Sequence, residues 1–81
     1  MIELDLHGLT VDEALPRVEE FLYKTFTGGY YEVSIVHGKG TGILRDSVRM
    51  YLSKHPLVKS SRRGDDWEGG SGVTIVSFTS K

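Results

Sequence analysis

Val36-His37-Gly38-Lys39-Gly40-Thr41-Gly42-Ile43-Leu44-Arg45 decides how the rest of the chain folds. Val33, Ile35 and Val36 form an apolar, β-forming run, and beyond Gly42 the apolar spacing turns helical. The segment therefore reads as a strand, a glycine-rich turn and a helix. Glycine enters φ > 0 without steric cost and lets another group approach the main chain. Backbone N–H groups at a helix N-terminus carry partial positive charge and attract anions. Lys39 adds a full charge, and His37 adds a group able to move a proton near neutral pH. Gly38, Gly40, Thr41 and Gly42 thus make a candidate phosphate turn. The plain alternative is a tight βα connection built only for packing.

On the N-terminal side, Ile2-Glu3-Leu4-Asp5-Leu6-His7 alternates strictly, with one apolar and one polar face, and Gly8 ends it. Thr10 and Glu13 make a capping-box pattern. Val11, Ala14, Leu15, Val18, Phe21, Leu22 and Phe26 then recur at helical spacing until Thr27-Gly28-Gly29. Pro16 conflicts with this helix, because it cannot bond the carbonyl of Asp12; either the first turn is loose or the regular helix starts later. Residues 30–36 form a second strand. A strand, a helix and a strand in one small sheet imply a right-handed crossover and parallel pairing.

On the C-terminal side, a second helix is expected over residues 43–54, its stripe built from Ile43 or Leu44, Val48, Tyr51 and Leu52. Arg45 and Arg49 share another face of it, and His55-Pro56 ends it. Residues 57–62 read as a third strand, 63–72 as a glycine-rich loop with the polarity of a mobile flap, and 73–79 as the last strand. No helix joins the last two strands, so they should pair antiparallel. The expected fold is an α/β two-layer sandwich, β-α-β-α-β-β, with a four-stranded mixed sheet and two helices on one face. The face they leave uncovered should be polar.

Eighty-one residues make one small domain, 1–81, with ten glycines as the one compositional excess. The net charge of −1 gives no global basic field, so any nucleic-acid contact must come from a local patch. The chain has no cysteine, which rules out a disulfide framework and thiolate metal sites. No signal peptide or membrane span is visible, and a cytoplasmic location is the expectation.

Loops leaving the C-terminal ends of parallel strands share one edge of the sheet, where ligands bind. His7-Gly8 and His37-Gly38-Lys39-Gly40 should meet there. Asp5 stands roughly 6–7 Å behind His7 on the same strand face, where it can orient the imidazole or help hold a metal. Arg45, Arg49, Arg62 and Arg63 are candidate backbone contacts, and Trp67 offers a stacking surface for a base. The letters match neither the P-loop nor the dinucleotide glycine pattern: Lys39 is followed by Gly40, and position 43 is Ile43. A mononucleotide cofactor is not expected.

Leu4-Asp5-Leu6-His7-Gly8-Leu9, Glu13-Ala14-Leu15, His37-Gly38-Lys39-Gly40, Gly42-Ile43-Leu44-Arg45 and Gly69-Gly70-Ser71-Gly72-Val73-Thr74 together resemble the Smr (small MutS-related) family. The tight spacing and the Gly-rich segment before the last strand look most like the version at the C-terminus of the bacterial MutS-type paralogue, with stand-alone Smr proteins a close alternative. The resemblance implies a fold like the C-terminal domain of translation initiation factor three. It also implies nucleic-acid binding, endonuclease activity on DNA or RNA, a role in recombination suppression or ribosome rescue, and a larger chain carrying an ATPase domain. By motif it carries Asp5, His7, His37 and Lys39 over as catalytic, and Gly38 and Gly40 as part of the turn. On RNA the 2′-OH is a built-in nucleophile and no metal is needed. DNA needs an activated water, for which Mg or Mn at Asp5 is the weaker candidate. The competing expectations are a non-catalytic module for DNA, RNA or the ribosome, and a protein-interaction domain using the helical face.

Overall fold

The two strands whose ends carry the histidines lie side by side. In a computed structural model, which describes residues 1–80, β1 (Glu3–Asp5) pairs parallel with β2 (Glu32–Val36), placing Asp5 opposite Val36. Antiparallel β4 (Val73–Phe78) continues the sheet beyond β2, and β3 (Val58–Arg63) forms the far edge, giving the order β1-β2-β4-β3. Helix α1 (Val11–Thr27) makes the crossover between β1 and β2, and α2 (Ile43–Ser53) follows the glycine turn. The α/β sandwich read from the sequence is the observed fold, with all four strands and α2 shifted at their ends by a residue or two.

Burial follows the alternation. Leu6, Val33, Ile35, Val76 and Phe78 from the sheet side meet Ala14, Val18 and Leu22 of α1 and Val48 and Leu52 of α2. Leu44, not Ile43, joins the α2 stripe; Ile43 is exposed. Glu19 of α1 ties the helices together by accepting from Nε2 of His55 at 2.7 Å and from the Tyr51 hydroxyl.

Pro16 does not delay α1. Thr10 Oγ1 accepts from the Glu13 amide at 3.2 Å, and Glu13 Oε1 accepts from the Thr10 amide at 3.0 Å, so the helix starts where the capping box puts it. It then runs unbroken to Thr27. Pro16 and Asp12 are both exposed, so water is at hand for the carbonyl that proline leaves free.

Two expectations about the uncovered face need correction. Cross-strand partners share a face, so Val36, Val73 and Ile75 lie with Asp5 and Glu3 on the side without helices. Val73 and Ile75 are nonetheless buried. Residues 64–72 fold back there: a Cβ placed on Gly69 would strike Val73 Cγ2 and stand 3.3 Å from Val73 Cβ. That segment, read as a flap, is two 3-10 turns, Asp66–Glu68 and Gly70–Gly72, stapled by a bidentate pair between Arg62 and Glu68 at 2.8 and 3.1 Å.

Candidate nucleic-acid site

The end of β1 builds its own dyad. Asp5 Oδ1 accepts the His7 backbone N–H at 3.0 Å, a local turn that aspartate side chains favour. The same oxygen stands 2.6 Å from Nδ1 of the His7 ring. A carboxylate only accepts, so Nδ1 carries the proton and Nε2 is left as the free nitrogen. The hydrogen bonds from the His7 ring and then its backbone hold the Asp5 carboxyl below the usual carboxylate range. The His7 side chain is 72% exposed, and buried Leu6 fixes the backbone between the two residues.

The glycine turn lies against this dyad: a Cβ placed on Gly38 would stand 3.6 Å from Cβ of His7. Gly38, Gly40 and Gly42 have φ of 80°, 36° and 87°, while no non-glycine residue among those described has positive φ. Alternation of φ sign curls the chain so that successive N–H groups converge on one side, a concavity suited to an anion. The amides of Lys39, Gly40, Thr41 and Gly42 have no protein acceptor among the described residues. Helix α2 has no side-chain cap, because its N-cap is Gly42; Thr41 Oγ1 reaches only the Ile43 amide, at 3.4 Å. Helix α1, by contrast, spends its first amides on its own capping box. A groove of about 400 Å³ opens between residues 8–11 and 37–45.

His37 is placed differently from His7. It is buried, with Nδ1 2.8 Å from the Gly38 carbonyl oxygen and Nε2 2.9 Å from Thr74 Oγ1. Burial pushes its pKa down, and Arg49 and Arg45 reinforce the shift. Both ring nitrogens are engaged inside the protein, so the two histidines of the sequence pattern do not face one another as a pair of free proton carriers.

The basic residues divide in the same way. Lys39 is exposed with no acidic partner among the described residues. Arg45 folds over the α2 N-terminus, where a Cβ on Gly42 would meet its guanidinium at 2.5 Å, and its Nε donates to Asp46 at 2.9 Å. Arg49 turns inward and donates to Thr74 Oγ1 at 3.2 Å. Arg62 is committed to Glu68, and Arg63 lies 3.7 Å from Asp66. Trp67 stands out from the stapled turn, 84% exposed.

The donor set does not suit Mg or Mn. Such cations take several oxygen ligands. Asp5 has only His7 beside it, Glu68 is bound to Arg62, and no group of three ligating side chains gathers among the described residues.

Thr74 and Gly72 belong to the site, although the sequence marks them only as members of the Gly69–Thr74 family motif and not as chemical groups. Thr74 sits in an apolar run as any β-former can. Gly72 acts through its carbonyl, which accepts the His37 and Gly38 amides, each at 3.0 Å. It lies directly against the turn: a Cβ placed on it would stand 3.4–3.5 Å from Gly38 and Lys39, in ordinary van der Waals contact.

A small sheet that brings an Asp-x-His-Gly strand end beside a His-Gly-x-Gly turn defines a class of domain. The Smr domain family model matches residues 4–79, and the chain belongs to that family. The endonuclease MutS2 of Caldicellulosiruptor saccharolyticus is 48% identical over 77 residues, covering 95% of this chain and 10% of that protein. The chain thus spans about a tenth of the length of the curated relatives it matches. The Smr domain of Thermus thermophilus MutS2 superposes with a TM-score of 0.95 at 40% identity, covering 99% of this chain and 100% of that one. YdaL, a stand-alone small MutS-related protein from Escherichia coli, gives 0.91 at 27% identity over 96% of this chain and 64% of that one. No helix among the described residues is long and apolar enough to cross a membrane.

Proposed function

We propose that this domain binds nucleic acid and cleaves its phosphodiester backbone, as the nuclease module of a larger MutS-type protein working in the cytoplasm. The observation that carries this reading is the close approach of Gly38 in the glycine turn to the Asp5–His7 dyad. A proton-accepting nitrogen and a cluster of unpaired amides share one strand edge. Lys39 stands among them with no acidic partner among the described residues.

RNA is the substrate that the residues serve without assistance. His7 Nε2 takes the proton of a 2′-OH while Asp5 holds the ring and balances the charge it gains. The 2′-oxygen attacks phosphorus and the bond to the 5′-oxygen breaks. The products are a 2′,3′-cyclic phosphate and a 5′-hydroxyl, whose proton comes from Lys39 or water. The turn amides and Lys39 stabilise the charge that builds on the non-bridging oxygens.

A second reading has its own support. His37 has both ring nitrogens engaged, which leaves one free imidazole where acid–base cleavage uses a donor and an acceptor. The turn and Lys39 would then only bind DNA, RNA or a ribosomal surface. Cleavage of labelled RNA and DNA, each in chelator and with added Mg or Mn, separates the two readings. RNA cut in chelator, lost in His7→Ala with binding retained, supports the nuclease. Wild-type protein that binds but cuts neither substrate under any of these conditions leaves the binding module.

A further inference from the structure

A hydrogen-bond relay, buried at its centre, runs from α2 to the back of the anion turn. The Arg49 guanidinium can only donate, and it reaches Thr74 Oγ1 at 3.2 Å. The Gly38 carbonyl can only accept, and it lies 2.8 Å from His37 Nδ1. These two ends set every proton between them. Nδ1 of His37 carries its hydrogen, Nε2 is the acceptor, and the Thr74 hydroxyl donates to it at 2.9 Å. Thr74 is fully buried, so no water competes for the hydroxyl.

The consequence lies one peptide further on. The peptide between Gly38 and Lys39 is planar, and in a trans peptide the C=O and N–H point in opposite directions. Gly38 is also held through its own amide, which donates to Gly72 O at 3.0 Å. With its carbonyl drawn to His37, the Lys39 N–H is turned the other way, out of the core. That amide has no protein acceptor among the described residues.

We propose that Arg49 and Thr74 are positioning residues for the anion turn, acting through neutral His37 to aim the Lys39 amide at a bound phosphate. This rests on the anion-binding reading of the turn given above. It assigns Arg49 an inward role in place of a contact with the nucleic-acid backbone, and it gives Thr74 a function that follows from its hydroxyl alone.

Thr74→Val keeps the shape and removes the hydroxyl. Thr74→Ser keeps the hydroxyl and serves as the rescue. Arg49→Leu is a second, independent break in the relay. Thermal melts establish that each variant folds. In the free protein, long-range ¹H–¹⁵N spectra read which His37 nitrogen is protonated, and the Lys39 amide resonance reads its surroundings. Titration with a short single-stranded RNA oligonucleotide then reads binding. Wild type and Thr74→Ser should show Nδ1–H on His37 and a large Lys39 amide shift on binding. Thr74→Val should mix the tautomers, move the free Lys39 amide and bind about tenfold more weakly, with Arg49→Leu between. A folded Thr74→Val that keeps the tautomer, the Lys39 shift and the affinity of wild type overturns the proposal. A flat titration in every protein, wild type included, overturns the nucleic-acid reading itself and this positioning role with it.

Discussion

Asp5 holds His7 twice through one oxygen, at 3.0 Å to the backbone amide and 2.6 Å to ring Nδ1. The first bond fixes where the side chain begins and the second fixes how the ring is turned. His7 is well exposed, and without Asp5 little else would restrain it. His7→Ala should therefore lower the rate of RNA cleavage about 10²–10⁴-fold with little change in binding, the range expected for losing a general base. Asp5→Ala should lower the rate by a smaller factor and flatten the dependence on His7. Single-turnover rates alongside binding titrations of both variants and the double mutant check this. A double mutant as slow as His7→Ala alone is the expected result.

His37 predicts a pH dependence of stability, with a definite sign. Its folded-state pKa lies below the ordinary 6.5, because burial, then Arg49 and Arg45, disfavour the imidazolium, with the hydrogen bond to the Gly38 carbonyl and, less, Asp46 opposing them. Near and below 6.5 the unfolded chain therefore binds more protons than the folded one, and stability rises with pH there. The contribution of neutral His37 is fully present above 6.5 and is lost as pH falls from 6.5 toward the depressed value. Melting temperatures measured from pH 5 to 8 should decline on the acid side in wild type. The decline should be shallower in His37→Gln. An NMR titration that places His37 above the ordinary histidine value would count against this account.

Much of this was legible in the letters because it rests on local pattern. The alternation around Leu4 and Leu6, the Thr10–Glu13 box and the glycine turn each specify their own geometry, and the parallel pairing that joins Asp5 to the turn follows from the crossover. What was not legible depends on partners distant in sequence. His37 looks like His7 in the sequence, and only the arrival of Thr74 thirty-seven residues later separates their chemistry. Arg49 and Arg62 read as free charges until Thr74 and Glu68 take them up. Pro16 looked disruptive because propensity counts the lost bond, while the capping box and the buried face of α1 keep the helix in place.

The Arg62–Glu68 pair should govern the segment that carries Trp67. Arg62 draws the Glu68 carboxyl down to about 2, with the Asp65 amide assisting. The stabilisation is therefore fully present above the ordinary 4.5 and is lost as pH falls through about 2. Trp67 fluorescence anisotropy should stay constant from neutral pH down to about pH 4 and fall below it. Glu68→Gln should show the lower anisotropy at all pH values. Because the pair lies at the surface, the global melting temperature at neutral pH should move little. A large drop in melting temperature would mean instead that residues 64–72 are needed to keep Val73 and Ile75 covered.

Lys39 tests the anion turn most directly, since its charge has no acidic partner among the described residues to release when it is removed. Each basic side chain that neutralises a phosphate displaces condensed counterions, and the logarithm of affinity falls with the logarithm of salt by about 0.7 per contact on single strands and 0.9 on duplex DNA. Lys39→Ala should weaken binding at low salt and reduce that slope by about one contact, across unrelated sequences. Arg62→Ala should leave the slope nearly unchanged, because Glu68 already balances that charge. Fluorescence titrations at several salt concentrations measure both. Equal slopes for wild type and Lys39→Ala would place the phosphates elsewhere on the domain, whereas a reduced slope with retained Gly42 geometry puts one of them at the uncapped start of α2.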